Sequence, residues 1–239
     1  MTLRLGVFGG TFDPVHIGHL LMADAVVEAL ALDRLLMVPA QRSPLKPNGP
    51  SAADADRVAM LEAATAGDAR FAVDRVDLDR PPPSYTVDTL RLLAAAHPGA
   101  ELILVVGLDS FLELGTWRDP SGIAALAHLA VVDRPGYAAS STERDVRLTA
   151  ATAALPALLG RWTLVDAPLI DLSATDVRRR VAEGRSIRWR VPEAVAAHIA
   201  ARGLYRQASA PGSAPGSVPG SVPGSAPEVG GAAGTGGGR

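Results

Sequence analysis

Gly6-Val7-Phe8-Gly9-Gly10-Thr11-Phe12-Asp13-Pro14-Val15-His16-Ile17-Gly18-His19-Leu20 carries a strand into a helix by way of glycines and a histidine pair. The apolar run Leu3 to Phe8 predicts the strand, Gly9-Gly10 a turn, and the pattern after Asp13-Pro14 a helix lasting to about Leu32. Glycine has no Cβ and tolerates positive φ, so Gly9 and Gly10 let the backbone approach a ligand and aim amide N–H groups at it. A phosphate is the natural guest. His16 and His19, three apart at the helix start, project from one side of its first turn. The orphan N–H groups there attract an anion, and two imidazoles add directed donors. Neither histidine has a cysteine, carboxylate or third histidine at metal spacing, so a polyphosphate clamp is better supported than zinc. One histidine near a helix start is more often a cap or a packed surface residue; a pair behind an N-terminal strand and a glycine turn reverses that balance.

Working outward, Leu35 to Val38 is a second strand ending at Pro39, which makes a βαβ crossover with parallel pairing. Gln41 to Ser51 reads as a loop at the carboxyl end of that strand, the edge where open parallel sheets bind ligands. Lys46 lies on it and is the chain's one lysine, equally readable as a phosphate partner or a solvated residue. Ala52 to Ala66 is a scaffold helix with Val58, Met60, Leu61 and Ala64 inward, and Phe71 to Val73 is a third strand. After three prolines, Ser84 or Thr86 is expected to cap a helix running through Ala96, whose N-terminus is a second anion site. Leu102 to Val106 has the continuous apolar character of a strand buried on both faces, ending at Gly107-Leu108-Asp109-Ser110. Asp109 can accept from ribose hydroxyls or a cation-bound water, or cap a helix from Ser110 to Leu114; the two roles are compatible. Trp117 in the next loop suits stacking on a flat ring, against the commoner half-buried packing role.

Ser121 to Ala127 reads as a short helix, Leu129 to Val132 as a strand, Ser140 to Gly160 as helical, and Trp162 to Val165 as the last strand. Arg134 is either a bidentate partner for a carboxylate or phosphate, or a surface charge. Ser173 can cap the following helix, on which Thr175 and Arg178 share a face and form another anion receptor. The sum is an α/β chain with a Rossmann-like, doubly wound parallel sheet and flanking helices. Residues 1–207 form a single domain; from 208 the Ser-Ala-Pro-Gly tetrads predict a disordered, low-complexity tail to 239.

Composition narrows the classes. With 23 basic and 25 acidic residues the net charge is −2, which provides no global field for nucleic acid. The absence of cysteine excludes thiolate catalysis, disulfides and thiolate-bound metal. No leader-like or membrane-spanning run is evident, so a soluble, cytoplasmic protein is expected.

Gly9-Gly10-Thr11-Phe12-Asp13-Pro14-Val15-His16-Ile17-Gly18-His19 resembles the phosphate-binding motif of the His-x-Gly-His nucleotidyltransferases, in the form of the bacterial nicotinate-nucleotide adenylyltransferases. Other segments resemble that family in the same order: Pro83 to Leu90, Gly107 to Phe111 with Trp117, Arg134-Pro135-Gly136, Ser173 to Arg178, and the ending through Gly203-Leu204-Tyr205. The resemblance covers about residues 3 to 205, and departs where Leu45 replaces a usual histidine and Ala174 a usual serine. It implies adenylyl transfer from ATP to nicotinate mononucleotide, a step of NAD biosynthesis. His16, His19, Lys46 and Arg178 would carry the chemistry. Gly9, Gly10, Thr11, Phe12, Gly107, Asp109, Ser173 and Thr175 would meet ATP, while Ser84, Tyr85, Thr86, Trp117 and Arg134 would meet the mononucleotide. Mg²⁺ would be held by phosphates and water rather than by a protein metal site, and no nucleic acid or membrane partner is implied; a homo-oligomer stays open. The rivals are an adenylyltransferase with phosphopantetheine or nicotinamide mononucleotide as acceptor, and a non-catalytic nucleotide-binding module, whose Gly-x-Gly-x-x-Gly is absent from the turn.

Overall fold

The computed structural model describes residues 2–42, 49–133, 140–168 and 170–206. Its strands are β1 (Arg4–Gly10), β2 (Arg34–Pro39), β3 (Phe71–Val73), β4 (Glu101–Gly107), β5 (Ala127–Val132) and β6 (Trp162–Val165). The helices are α1 (Ile17–Ala29), α2 (Asp54–Thr65), α3 (Thr86–Ala96), α4 (Leu108–Leu112), α5 (Pro120–Leu126), α6 (Ser141–Ala154), α7 (Ala174–Ala182) and α8 (Glu193–Arg202). Every strand pair is parallel, in the order β3-β2-β1-β4-β5-β6, so the doubly wound, Rossmann-like sheet is as expected.

The sheet is buried on both sides because its strands are aliphatic at both parities. Leu102, Leu104 and Val106 of β4 face one layer with Val87, Leu90, Phe111, Ile123 and Leu148, which come from α3, α4, α5 and α6. Ile103 and Val105 face the other, with Val26, Met60, Val177 and Val195 from α1, α2, α7 and α8. Strand order reverses between β1 and β4, and there the ladder opens. Pairs between them run only from Arg4↔Glu101 to Val7↔Leu104, whereas β1 stays paired with β2 as far as Gly10↔Pro39. A crevice at such a reversal is the general ligand position of open α/β sheets.

Several local expectations are corrected. Gly9 and Gly10 complete β1 instead of turning; the positive φ falls on Phe12, at 47°. Helix α1 stops at Ala29, not Leu32, followed by Ala31 at φ 46°. Neither Ser84 nor Thr86 caps α3, whose N-cap is Tyr85 without a side-chain bond; Ser84 Oγ instead accepts from the Gln41 amide at 3.2 Å. Asp109 is no cap either, because α4 already starts at Leu108 behind Gly107. Helix α5 begins at Pro120 under an Asp119 cap that accepts from Gly122 N at 3.0 Å, and Ala127 belongs to β5. The 140–160 segment breaks at Pro156, which has no N–H to continue the ladder, into α6 and a 3₁₀ turn. Ser173 does cap α7, accepting from Asp176 N at 3.1 Å. The Lys46 loop with Leu45, Arg134 and the tail from 208 lie outside the described residues. Among the described residues, no helix is long and apolar enough to cross a membrane.

Candidate active site

A cavity of about 530 Å³ occupies the crevice between β1 and β4. The end of β1 supplies Phe8, Gly9 and Gly10, followed by Thr11 and Phe12; the end of β4 supplies Val105 to Gly107 and then Asp109. His16, Gly18 and His19 come from the start of α1, Ser84, Tyr85 and Thr86 from the start of α3, and Trp117 from the loop before α5.

The two glycines are needed for space, since neither has positive φ. A Cβ on Gly10 would stand 2.8 Å from Phe12 Cζ, so the ring can lie against the strand only above a glycine. A Cβ on Gly9 would meet no protein atom within 4 Å, which leaves that side of the strand end to the cavity.

The imidazoles of His16 and His19 stack, with centroids 3.7 Å apart and planes 25° apart. His16 is 4% exposed, yet it lines the cavity. The His16 amide donates to His19 Nδ1 at 3.3 Å, which puts the ring proton of neutral His19 on Nε2, as a donor. Phe12 meets the His19 ring edge-on at 5.0 Å, and Phe8 in turn meets the Phe12 ring at 5.5 Å, so an aromatic wedge fixes the imidazole. Gly18 lets the pair stand close, because a Cβ there would come within 3.2 Å of the His16 ring and 4.0 Å of the Leu172 carbonyl.

The turn between β1 and α1 is braced from outside. Asp13, 3% exposed, accepts at Oδ2 from Ser51 N at 2.6 Å, and at Oδ1 from Ala52 N at 3.0 Å and Tyr205 Oη at 2.8 Å. Arg178 Nη1 donates to the Asp13 carbonyl at 2.7 Å and Nη2 to Thr175 Oγ1 at 3.2 Å, so the expected shared face of α7 exists. Ser173, Thr175 and Arg178 do not line the cavity, however; Leu172 does. Fully buried Arg57 donates to the Thr11 carbonyl at 2.7 Å.

Some cavity residues escaped the sequence. Asp77 Oδ1 accepts from Thr89 Oγ1 at 2.6 Å and Arg80 Nη2 at 2.7 Å, and the Arg80 guanidinium reaches the Tyr85 carbonyl at 3.2 Å, which secures the entry to α3. Arg118 is the one arginine or lysine among the described lining residues, where Asp77, Asp109, Glu113 and Asp133 supply carboxylates. Its guanidinium lies 4.6 Å from the Tyr85 ring centroid and 3.4 Å from Asp88 Oδ2. Its position next to Trp117 was the available signal. Among the described residues, no group of three or more His, Cys, Asp or Glu could hold a metal ion.

Comparison with known proteins gives the same reading. Residues 7–180 match the cytidylyltransferase-like family. The probable nicotinate-nucleotide adenylyltransferase of Thermomicrobium roseum is 47% identical over 207 residues, covering 87% of this chain and 94% of that one. Its counterpart from Thermus thermophilus is 42% identical over 205 residues, covering 85% and 100%. The Plasmodium falciparum nicotinic acid mononucleotide adenylyltransferase complexed with NaAD superposes with a TM-score of 0.67 at 14% identity, covering 84% of this chain and 97% of that one, a likeness of fold. With a braced glycine strand end, a stacked histidine pair and relatives matched over nearly their whole length, the chain belongs to the nicotinate-nucleotide adenylyltransferases of the cytidylyltransferase-like family.

Proposed function

We propose that the chain transfers the adenylyl group of ATP to nicotinate mononucleotide. A phosphate oxygen of the mononucleotide forms a bond to the α-phosphorus, the bond from that phosphorus to the bridging oxygen breaks, and pyrophosphate leaves. The observation that carries this reading is the stacked His16–His19 pair sharing one cavity with Tyr85, Thr86 and Trp117. Phosphate and pyridine ends of the two reactants then have separate walls.

No serine or cysteine nucleophile is required; the work is orientation and charge stabilisation. His19 and His16 donate to phosphate oxygens as charge develops on them. Gly9, Gly10, Thr11 and Phe12 shape the phosphate side, and Gly107 and Asp109 the nucleoside side. Trp117 and Tyr85 flank the pyridine ring, with Ser84 and Thr86 at the α3 start. Arg118 faces the ring carboxylate, which distinguishes the acid from the amide in a cavity otherwise rich in carboxylates. Arg178 acts through the Asp13 turn, whose carbonyl it holds at 2.7 Å; a role for Ser173, Thr175 and Arg178 at the departing pyrophosphate, like those of Lys46 and Arg134, rests on the resemblance alone. Mg²⁺ would be held by phosphate oxygens and water, in line with its preference for few protein ligands, with the Asp109 carboxylate on the cavity wall available to accept from one of its waters. When bound it neutralises phosphate charge. Residues 1–207 as a single catalytic domain, and a cytoplasmic location, belong to the same reading.

The test is pyrophosphate release from ATP with each of three acceptors: nicotinate mononucleotide, nicotinamide mononucleotide and phosphopantetheine. The reading requires the first to be fastest; a faster reaction with either of the others overturns it.

A further inference from the structure

Tyr205 lies 192 residues from Asp13 in sequence and donates to its buried carboxylate at 2.8 Å. The end of α8 delivers it there. Gly203 takes φ 63°, Leu204 N returns to the Ile199 carbonyl at 3.0 Å, and Tyr205 itself adopts φ 62°, a conformation uncommon for a side chain of that bulk. Burial, and the carboxylate it donates to, push its phenol far above its ordinary value, so the hydroxyl remains a donor at all working pH. Asp13 thereby has every oxygen occupied by donors from three separate parts of the chain: Ser51 and Ala52, Arg178, and Tyr205. On the other side of the same turn, Phe12 is wedged against the His19 ring at 5.0 Å.

We infer that Tyr205 is a positioning residue of the active site: through Asp13 it sets the turn that carries Phe12, and through Phe12 the place of the His19 imidazole. The inference rests on the adenylyl-transfer reading above. Removing the hydroxyl leaves Asp13 Oδ1 with one donor instead of two. The carboxylate then turns toward Ser51 and Ala52, and the turn follows it. A residue that merely fastens α8 would behave otherwise, and the molecule contains such a fastening: Arg202 Nε and His198 Nε2 both bind Asp56 Oδ1 on α2 at 3.0 Å, without touching Asp13.

The experiment compares Tyr205→Phe, which keeps the ring, with Arg202→Ala, in the full chain, by thermal unfolding and by steady-state kinetics with ATP and nicotinate mononucleotide. Tyr205→Phe is expected to lower kcat/KM for ATP about tenfold, the usual scale for one lost hydrogen bond to a buried charge. Arg202→Ala is expected to lower the unfolding temperature without that kinetic loss. Because Tyr205 acts through Asp13, the loss should shrink to under about twofold when both proteins carry Asp13→Asn, a coupling that a structural role would not produce. Unchanged kinetics in folded Tyr205→Phe, equal kinetic losses in Tyr205→Phe and Arg202→Ala, or full additivity with Asp13→Asn would each overturn the inference. Failure of the function reading itself would look different, as no pyrophosphate from the wild-type chain.

Discussion

Gly10→Ala and Gly9→Ala differ by one position and should fail in opposite ways. The new methyl at Gly10 arrives 2.8 Å from Phe12 Cζ and 3.1 Å from both Cε atoms, so the ring must retreat by about 0.7 Å to reach ordinary carbon contact. That retreat is into the cavity or against His19, since the ring is otherwise enclosed. Phe12 is 1% exposed, with Phe8 and His19 closing its sides at 5.5 and 5.0 Å. Overpacking of this kind costs about 1–3 kcal/mol of stability. The displaced ring also pushes His19, and a misplacement approaching 1 Å at a catalytic donor costs roughly 10²-fold in rate. At Gly9 the methyl meets no protein atom within 4 Å, so stability should stay within about 0.5 kcal/mol while the methyl occupies ligand space. Its signature is a KM for ATP raised by about tenfold or more, on the scale of about 1.4 kcal/mol of lost binding. Urea midpoints and pyrophosphate-release kinetics on both variants decide the matter. A destabilised Gly9→Ala with normal ATP kinetics, or a Gly10→Ala of wild-type stability and rate, would refute the assignment of the strand end to space for Phe12 and phosphate.

His19→Ala should lower kcat by about 10²-fold or more, the loss of one preorganised donor; wild-type turnover would remove the histidine pair from the mechanism. Arg118→Ala should lower kcat/KM for nicotinate mononucleotide by about five- to tenfold, a value discounted for a guanidinium 57% exposed, and leave the amide substrate within about twofold. Equal effects on both substrates would dissociate Arg118 from the ring carboxylate. Burial alone would raise the Asp56 carboxyl, but hydrogen bonds from His198 and Arg202 outweigh it and hold the group below its ordinary value. A depressed carboxyl stabilises the fold above its unfolded value of about 3.9 and loses that contribution as pH falls through the lower folded one. Urea midpoints of wild type and Asp56→Asn should therefore differ at about pH 6, and the gap should shrink as pH falls below the unfolded value of about 3.9 toward the lower folded one; a gap independent of pH would contradict this.

The fold was legible because its signals are local. Leu102 to Val106, Leu35 to Val38 and Leu129 to Val132 are aliphatic at both parities, and only a sheet covered on two sides accepts such runs. His16 and His19 were legible for the same reason, since three residues of helix bring them together without help from the rest of the chain. The errors arose where sequence spacing is silent about space. Gly9-Gly10 looks like a turn, but its small size serves the Phe12 ring and the cavity. Ser84 looks like a cap, yet its hydroxyl is taken by the Gln41 amide on the loop after β2. Nothing short of the assembled sheet could place Arg57 under Thr11, because that contact joins α2 to the turn after β1, 46 residues away; Asp77 and Thr89 are only 12 residues apart, but their spacing does not say that the loop folds back onto the first turns of α3.

The brace on Asp13 makes the turn of the site depend on a segment near the far end of the folded domain. A growing chain has Gly9, Gly10, His16 and His19 within its first twenty residues, but the last donor to that carboxylate is not made until residue 205. Until then the emerging domain holds the catalytic alphabet without the clasp that spells it. Fragments cut short of Tyr205 should fold much of the sheet and still turn over poorly.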